Sequence, residues 1–392
     1  MPRVLRIINR FNLGGPTYNV AFLTRYMSPE FETLLVGGSR DETEEASDFI
    51  LNNMGVVPVI IPEMNREISI INDIIAYKKI RQIIKDFKPD IVHTHASKAG
   101  CLGRWAAYRS GVPVIVHTFH GHVFHSYFNS AITSFYKTVE RRLATKTTKI
   151  IALSEKQKEE LSLIHNISTP DKFEVIPLGF DLSHFHENID CKRAKFRNQY
   201  LIEDDEIVIV IVGRLVPIKN HNKFLESIKF VTQNSSRKIR AFIVGDGECR
   251  ASIEEKAKEL ELDFVDFTKE QRKATLTFTS WIKKVDEVYA GSDIVTLTSL
   301  NEGTPVSLIE AQAANKPILT TQTGGIENVV MPNITAKLSN NGDFKDILLE
   351  LVQDEDMRYQ MSLKGWDFVK DHFHYTRLVK DMSELYFRLL NK

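Results

Sequence analysis

Two cationic side chains follow the apolar run at residues 207–212, which predicts a β-strand. Gly213 ends that run, and Arg214 and Lys219 come after it, ahead of a predicted helix. A guanidinium fork and an ammonium point charge together suit a diphosphate. Because open α/β sheets bind ligands at the carboxyl ends of their strands, this spacing predicts an anion site. Gly245, in the turn that ends the next predicted strand, would form a further wall of the same crevice.

Two carboxylates are placed around the start of another predicted helix. Glu302 lies in a loop with Gly303 and Thr304, and Glu310 lies within the helix predicted at residues 308–314. The N–H groups at the start of the helix would face a bound anion, and carboxylates accept hydrogen bonds from sugar hydroxyls. The neighbours of Glu310 are apolar and predict a largely buried helix, in which a single glutamate needs a reason.

A glycine pair, Gly14 and Gly15, follows the first predicted strand at residues 4–8. Glycine allows a ligand to approach the backbone closely, and the helix that follows offers N–H groups to an anion. The same pair also fits an ordinary strand-to-helix turn. The chain has no G-x-G-x-x-G motif here and no acidic residue placed for a ribose in this half, which disfavours a nicotinamide-dependent dehydrogenase.

Histidines are concentrated in one short segment. They are His93, His95, His117, His120, His122 and His125. Such a cluster could ligate zinc, which keeps a metal-dependent hydrolase open as an alternative function. That site would need a carboxylate partner, and Glu140 is the only acidic residue between residues 91 and 154. The shortage of carboxylates counts against the alternative.

Short apolar runs alternate with amphipathic segments along the whole chain. Strands are predicted at residues 4–8, 32–36, 57–61, 91–93, 114–118, 150–153, 173–176, 207–212, 241–244, 275–278, 294–297 and 318–320. Helices are predicted at residues 19–26, 69–87, 99–110, 130–145, 156–164, 222–232, 250–261, 285–289, 308–314, 343–352 and 375–390. Strands that alternate with helices indicate parallel sheets, and continuous apolar runs indicate strands covered on both faces.

The alternating pattern stops at a polar stretch, residues 181–205, and then begins again. The chain has 392 residues, whereas single hydrophobic cores stop growing at roughly 250–300 residues. We therefore predict an α/β protein with two Rossmann-like parallel-sheet domains, at residues 1–190 and 191–375. Residues 376–392 have apolar side chains at helical spacing and predict a C-terminal amphipathic helix.

The composition excludes several classes of protein. The chain has 51 basic and 51 acidic residues, so it lacks the basic excess of a nucleic-acid-binding protein. Cys101, Cys191 and Cys249 form no C-x-x-C pair and predict a reduced, cytoplasmic protein. No apolar run reaches the length of about 18 residues that would predict a membrane-spanning helix.

Taken in order, these motifs resemble those of glycosyltransferase family 4, retaining enzymes of the GT-B fold that use nucleotide sugars. In the second half the resemblance lies in residues 213–220, 244–247, 301–311 and 323–326. In the first half it lies in residues 14–16, 117–121, 153–155 and 176–182, with residues 371–373 near the end. The resemblance covers nearly the whole chain. It implies two domains that face a cleft and a C-terminal helix that crosses back to the N-terminal domain.

The resemblance also implies a role for each motif residue. Arg214 and Lys219 would bind the diphosphate of the donor, Glu302 would hold hydroxyls of the donor sugar, and Glu310 would bind the ribose. His120 would lie near the transferred sugar and the acceptor. The implied catalytic set is therefore His120, Glu302, Arg214 and Lys219. The implied donor-binding set also contains Gly14, Gly15, Gly213, Gly245, Trp281, Asn301, Gly303, Thr304 and Glu310.

The expected reaction is the transfer of a sugar, with retention, from a nucleotide sugar to a glycan or lipid-linked acceptor in surface-polysaccharide biosynthesis. The donor is expected to be a UDP-sugar. The two cations and helix-end N–H groups would stabilise the leaving diphosphate, so neither a metal nor a cofactor is expected. A nucleotide-sugar epimerase with the GT-B fold and a binding-only partner of another transferase remain alternatives.

A peripheral membrane contact is also predicted. Phe124, Tyr127 and Phe128 lie near a series of basic residues that ends at Lys149, and aromatic beside basic side chains suit an anionic membrane surface. The apolar stripe of the intervening helix, which includes Phe135, is expected to be core. The protein is thus expected to be cytoplasmic, with a contact between Phe124 and Lys149 on the inner face of the cell membrane.

Overall fold

The structure of the chain, a computed structural model, describes residues 1–11, 15–39, 48–65, 69–120, 130–340 and 342–391. It divides into two compact units. The first consists of Met1–Phe180 together with Phe373–Lys392, and the second of Asp181–His372. Within the described residues, no helix combines the length and the apolar character needed to cross a bilayer.

The first unit is built on a parallel sheet of seven strands in the order β3-β2-β1-β4-β5-β6-β7. The strands are β1 (Arg3–Arg10), β2 (Glu32–Gly38), β3 (Val59–Ile60), β4 (Ile91–His95), β5 (Val114–Thr118), β6 (Lys149–Ala152) and β7 (Phe173–Val175). They alternate with helices α1 (Gly15–Tyr26), α2 (Asp48–Asn53), α3 (Ile70–Phe87), α4 (Ser97–Arg109), α5 (Ser130–Ala144) and α6 (Glu155–Glu159). Every residue of β4 and β5 is buried, as the continuous apolar runs predict for strands covered on both faces.

The second unit repeats this architecture with the strand order β10-β11-β9-β8-β12-β13-β14, again all parallel. The strands are β8 (Glu206–Val212), β9 (Lys238–Val244), β10 (Phe264–Asp266), β11 (Leu276–Phe278), β12 (Ile294–Leu297), β13 (Ile318–Thr321) and β14 (Ala336–Ser339). The helices are α7 (Ser183–His186), α8 (Ile189–Gln199), α9 (His221–Asn234), α10 (Arg250–Glu259), α11 (Val285–Gly291), α12 (Val306–Ala313), α13 (Phe344–Gln353), α14 (Glu355–Ser362) and α15 (Gly365–Phe373). The strand order places the ends of β8 and β12 side by side.

The last helix, α16 (Tyr375–Leu390), belongs to the first unit. Its apolar face joins the core formed by β1, β4 and β5, where Val4, Ile91 and Val116 are buried. The buried residues of that face are Leu378, Met382, Leu385, Tyr386 and Leu389. These are the residues whose helical spacing marks the segment as amphipathic in the sequence.

The polar composition of residues 181–205 suggests a simple connection between domains, but the structure shows two helices there. The stretch contains α7 and α8, and α8 packs against α11 through Phe196, which is buried beside Gly291. Arg193 and Arg197 each donate to a different carboxylate oxygen of Asp293, both at 2.8 Å. The second unit therefore begins at Asp181, ten residues before the boundary placed after residue 190.

Candidate active site

A lysine–glutamate pair lies at the carboxyl ends of two neighbouring strands in the second unit. Lys219 follows β8 and Glu302 follows β12, and these two strands are adjacent in the sheet. Lys219 Nζ donates to Glu302 Oε1 at 2.6 Å. Ser299 Oγ donates to the same oxygen, also at 2.6 Å. The structure therefore brings together two of the four residues of the predicted catalytic set.

Hydrogen bonds to backbone carbonyls join the loop that carries Lys219 to the loop that carries Glu302. The Leu300 N–H donates to the Ile218 carbonyl at 2.8 Å, and Thr298 Oγ1 donates to the Lys219 carbonyl at 2.8 Å. Thr298 and Ser299 are both buried, directly after an apolar strand. Neither residue stands out in the sequence. The partner of Thr298 is a backbone carbonyl in the loop after β8, and the contact of Ser299 depends on how its own loop folds toward Glu302.

A glycine turn after β13 packs against the backbone of the loop that carries Glu302. The Gly325 N–H donates to the Glu302 carbonyl at 2.8 Å. A Cβ atom at Gly324 would lie 1.9 Å from the Glu302 carbonyl oxygen, and one at Gly325 would lie 2.0 Å from the Gly303 carbonyl oxygen. Both distances are far below contact, so this approach of two backbones requires glycine at both positions.

Gly213 and Gly245 meet in the same way at the ends of β8 and β9. The Gly213 N–H donates to the Val244 carbonyl at 2.9 Å, and a Cβ atom at Gly245 would lie 2.0 Å from the Gly213 carbonyl oxygen. A Cβ atom at Gly213 would come within 3.6 Å of Lys219 Cε. These glycines therefore act first through packing, by allowing the loops that carry Lys219 and its neighbours to approach each other.

The remaining predicted donor residues of the second unit lie at the edge of this site. Arg214 and Asn301 are exposed, and Arg214 has no ion-pair partner among the described residues. A Cβ atom at Gly303 would meet nothing within 4 Å, so the backbone there faces open space, and Thr304 beside it is half-buried. Trp281 is 45% exposed. Its loop is anchored through the preceding serine, whose hydroxyl donates to Asp246 at 3.0 Å.

Glu310 lies inside α12, half-buried, and contacts a tyrosine that the sequence analysis does not identify. Tyr289 on α11 is fully buried, and its hydroxyl donates to Glu310 Oε2 at 3.1 Å. Burial raises the pKa of Glu310 to about 7, with a further contribution from the charge of Asp286, while the Tyr289 hydrogen bond opposes that rise. The carboxyl group is therefore poised to change charge near neutral pH.

His120 belongs to the first unit and is paired with a second histidine. Its Nε2 lies 2.9 Å from His95 Nδ1, and burial lowers the pKa of His120 to about 3. At neutral pH the ring is therefore uncharged. Gly15 begins α1, and a Cβ atom there would lie 3.1 Å from Leu178 Cδ1. Gly14 lies outside the described residues.

The histidine cluster does not form a metal site within the part of the chain that the structure describes. There, no group of three or more His, Cys, Asp or Glu side chains is placed to hold an ion. Both ring nitrogens of His93 are used: Nδ1 lies 2.6 Å from Tyr386 Oη, and Nε2 lies 2.7 Å from Thr118 Oγ1. Glu140, the one acidic residue nearby in sequence, pairs with Arg104 at 2.6 Å. His122 and His125 lie outside the described residues.

The predicted membrane contact between Phe124 and Lys149 stays a prediction. Phe124, Tyr127 and Phe128 lie outside the described residues. The expectation that the stripe of α5 is core holds only in part, because Leu143 is buried but Phe135 is 64% exposed. Lys149 at the end of the segment donates to a backbone carbonyl at 2.7 Å and is thus tied to the protein.

The two Rossmann-like sheets and the cationic, glutamate-bearing loops at the carboxyl ends of the second one define the class, a GT-B glycosyltransferase. Residues 14–184 match the family model described as Glycosyltransferase Family 4, and residues 192–365 match Glycosyl transferases group 1. The chain is 31% identical over 330 residues to the UDP-Gal:alpha-D-GlcNAc-diphosphoundecaprenol alpha-1,3-galactosyltransferase of Escherichia coli, across 83% of this chain and 82% of that protein. The chain therefore belongs to glycosyltransferase family 4, and it is an enzyme of the hexosyltransferase type.

Other relatives and solved structures agree with this assignment. The capsular polysaccharide biosynthesis glycosyltransferase CapM of Staphylococcus aureus is 24% identical over 331 residues, across 83% of this chain and 84% of that protein. The structure of Anabaena Alr3699/HepE in complex with UDP superposes with a TM-score of 0.81 at 16% identity, over 99% of this chain and 100% of that chain. The apo lipopolysaccharide outer core galactosyltransferase WaaB superposes with a TM-score of 0.70 at 16% identity, over 98% of this chain and 99% of that chain. The predicted GT-B fold is confirmed.

Proposed function

We propose that the chain transfers a hexosyl group, with retention of configuration, from a UDP-sugar to a lipid-linked glycan in surface-polysaccharide biosynthesis. The observation that carries the proposal is the Lys219–Glu302 pair at the ends of β8 and β12, with Glu310 on the helix that follows. The substrates are supported by similar proteins. The name of the Escherichia coli relative gives UDP-galactose and a diphosphoundecaprenol acceptor, and HepE was solved with UDP.

In this scheme Arg214 and Lys219 hold the diphosphate, and the N–H groups at the start of α12 add to the positive field. Diphosphate binding competes with Glu302 for the Lys219 ammonium group. The released carboxylate oxygen then accepts hydrogen bonds from hydroxyls of the donor sugar. Because the leaving diphosphate gains negative charge, cations fixed in place before the reaction lower its barrier. Neither a metal nor a cofactor enters the scheme.

The bond to the diphosphate is largely broken before the new bond forms, which gives the sugar oxocarbenium character. The acceptor hydroxyl adds to C1 on the face that the diphosphate leaves, and its proton passes to a diphosphate oxygen. Glu302 is not assigned as a covalent nucleophile, because in this scheme its carboxylate accepts hydrogen bonds from hydroxyls of the donor sugar. His120, as an uncharged imidazole, hydrogen-bonds the transferred sugar beside the acceptor.

A lipid-linked acceptor would be used at a membrane surface. We therefore propose that the enzyme works as a peripheral protein on the cytoplasmic face of the cell membrane, where nucleotide sugars are available. A thermal-shift screen of nucleotide sugars would identify the donor, because a ligand that binds only the folded state raises Tm by mass action.

The direct test is transfer by the purified protein from the identified UDP-sugar to a short-chain polyprenyl-diphosphate-linked GlcNAc acceptor. Product mass and anomeric configuration are read by mass spectrometry and NMR, with and without a chelator. An α-linked product, formed equally well after chelation, is the expected result. An inverted product, or dependence on a divalent cation, contradicts the corresponding part of the scheme. Conversion of the donor to its epimer would instead identify an epimerase.

Variants of the paired residues test the site itself. Lys219→Ala and Glu302→Gln each remove one partner of the pair, and we expect kcat to fall by about 10²–10³-fold, as for other preorganised charge-stabilising groups. The control is Glu255→Gln, an exposed carboxylate on α10. If kcat of both site variants stays close to that of the control, the pair is not part of the catalytic machinery.

A further inference from the structure

A wide cavity lies between α3 and the end of α4 in the first unit. Its volume is about 1000 Å³, and Pro89 and Pro113, which precede β4 and β5, form part of its wall. Five cationic side chains line it, and none of its described lining residues is acidic: the cations are Lys78, Arg81, Lys85, Lys88 and Arg109. We call this feature the basic cavity.

The cations of the basic cavity have no ionic partners elsewhere in the described residues. By contrast, their neighbour Lys79 pairs with Glu63 at 2.6 Å. The acidic residues of α3 are also engaged: Asp73 pairs with Lys98 at 2.6 Å, and Asp86 accepts a hydrogen bond from a neighbouring glutamine at 2.8 Å. Five clustered cations that form no ion pair with any described residue create a positive local potential, which suits a surface that carries many negative charges.

Exposed isoleucines adjoin the basic cavity along α3. They are Ile70, Ile71, Ile74 and Ile75, and the first two are 76% and 72% exposed. At helical spacing Ile74, Lys78, Arg81 and Lys85 share one stripe of α3, so the apolar segment leads directly into the cations. A soluble phosphate-bearing ligand would leave these isoleucines in water, whereas a lipid surface would bury them.

Two exposed aromatic residues lie on α4, close in sequence to Arg109, one of the cations of the basic cavity. Trp105 and Tyr108 are exposed, and the guanidinium carbon of Arg109 lies 5.9 Å from the Trp105 ring centroid. The Lys146 ammonium group lies 4.6 Å from the Tyr108 ring centroid. Tryptophan and tyrosine, each with an apolar ring and one polar group, favour the boundary between water and lipid.

We propose that the basic cavity docks the enzyme on an anionic phospholipid surface. Its cations bind phosphate headgroups, while the isoleucines of α3 and the two aromatic residues of α4 enter the boundary of the acyl chains. This docking serves the lipid-linked acceptor of the proposed function, and it assigns the membrane contact to a surface other than that between Phe124 and Lys149.

The position of the basic cavity within the first unit is compatible with this role. It lies at the amino ends of β4 and β5, whereas His95 and His120 lie at or beyond the carboxyl ends of these strands. Five strand residues separate the two edges, which corresponds to roughly 15 Å. Docking through the basic cavity therefore leaves the histidine edge of the sheet uncovered.

Vesicle sedimentation of the purified protein tests the proposal. We expect binding to phosphatidylglycerol–phosphatidylcholine vesicles and little binding to phosphatidylcholine alone. Each adsorbed Lys or Arg contributes about fivefold to the partition constant, so Lys78→Glu, Arg81→Glu and Lys85→Glu together should weaken it at least about 100-fold. Ile70→Ser with Ile71→Ser should weaken it by about tenfold or more, since less apolar surface is buried.

Two matched controls separate docking from general changes in charge or surface hydrophobicity. Lys258→Glu, Lys364→Glu and Lys370→Glu carry the same charge change on exposed positions of the second unit. Leu163→Ser with Ile164→Ser removes two exposed apolar side chains elsewhere in the first unit. Both controls should bind vesicles as the wild type does. If they weaken binding as much as the cavity variants do, the basic cavity is not the docking surface.

Soluble anions distinguish a lipid surface from a site for free phosphate. Pyrophosphate at millimolar concentration should displace little of the vesicle-bound protein; saturable pyrophosphate binding without vesicle binding overturns the proposal. Transfer to a water-soluble short-chain acceptor is measured in parallel. If the cavity variants lose vesicle binding but keep this transfer, docking is supported. If the wild type transfers sugar but does not bind anionic vesicles, the docking proposal fails and the proposed function stands. If it binds anionic vesicles but transfers no sugar, the proposed function fails and the docking proposal stands.

Discussion

The two glutamates of the candidate site have different surroundings and therefore different chemistry. Lys219 and Ser299 hold the Glu302 carboxylate, with an ammonium and a hydroxyl group that both donate to the same oxygen. Among the residues that the structure describes, the Tyr289 hydroxyl donates to the Glu310 carboxyl, and burial raises the pKa of Glu310 to about 7. The two carboxyl groups thus differ in their partners: the one in the loop is ion-paired with a lysine, and the one on the helix lies beside a tyrosine.

Donor binding should therefore depend on pH through Glu310. If Glu310 binds the ribose, as the family resemblance implies, its ionised carboxylate would accept hydrogen bonds from the ribose hydroxyls. Affinity for UDP-glucose should then rise between pH 6 and pH 8, with a midpoint near the pKa of about 7. Glu310→Gln should remove this dependence. Tyr289→Phe removes the hydrogen bond that lowers the pKa of Glu310, so the midpoint should move to higher pH. Isothermal titration calorimetry across this range measures both effects, and a wild-type affinity that stays constant would refute the role of Glu310.

The sequence identifies the charged residues of the site but not the hydroxyl groups that position them. Arg214, Lys219, Glu302 and Glu310 stand out because charge at the end of an apolar strand or inside an apolar helix is unusual. Ser299 and Tyr289 carry no such signal. A serine in a loop and a tyrosine in a buried helix are both ordinary. The contact of Ser299 depends on the conformation of its own loop, and that of Tyr289 on the packing of α11 beside α12.

At the scale of elements, the glycine turn after β13 determines where the loop of Glu302 lies. Gly325→Ala should force this turn away from Gly303, because the new Cβ atom would lie 2.0 Å from its carbonyl oxygen. Overpacking of this kind costs about 1–3 kcal/mol, and each 1 kcal/mol lowers Tm by roughly 2–4 °C in a unit of this size. We expect a lower Tm together with reduced kcat.

Gly303→Ala provides the matched control for stability. A Cβ atom there meets nothing within 4 Å, so the Tm of this variant should stay within about a degree of the wild type, since surface changes usually cost little. Differential scanning fluorimetry of the two variants makes the comparison. Equal melting temperatures for Gly325→Ala and wild type would show that the turn can relax without disturbing the loop.

In the second sheet, inner and edge strands differ in how well the sequence predicts them. The five inner strands of the second sheet are all predicted, because apolar runs are continuous where both faces are covered. The two edge strands, β10 and β14, are missed. They have three and four residues and are only partly buried, so the apolar signal is short. Helix α8 is missed for a related reason: Phe196 and Arg197 are its only buried residues, and much of its attachment comes from arginines bound to Asp293.

At the scale of the whole molecule, the two ends of the chain build one core. Leu385 on α16 is 1% exposed and packs in the cluster that contains Val4 and Ile91. Leu385→Ala should lower the free energy of unfolding of the first unit by about 2–5 kcal/mol, through lost burial and the cavity left behind. Hydrogen exchange of the β1 and β4 amides measures this change.

Glu384→Ala is the control for that measurement, because Glu384 is exposed on the same helix and its loss leaves the core intact. Its β1 and β4 amides should exchange at wild-type rates. If the exchange of the β1 and β4 amides is faster to a similar extent in both variants, α16 stabilises the first unit through its helical structure and not through the packing of Leu385.

The return of the C-terminal helix to the first unit also affects how the protein is made. On the ribosome, residues 1–180 emerge well before Phe373. The first sheet therefore lacks its final helix until the whole second unit has been synthesised. At common elongation rates this interval lasts roughly 10–40 s. During that time the apolar surface around Val4, Leu23 and Phe31 has no permanent cover. During this interval the nascent chain therefore presents a binding surface for chaperones.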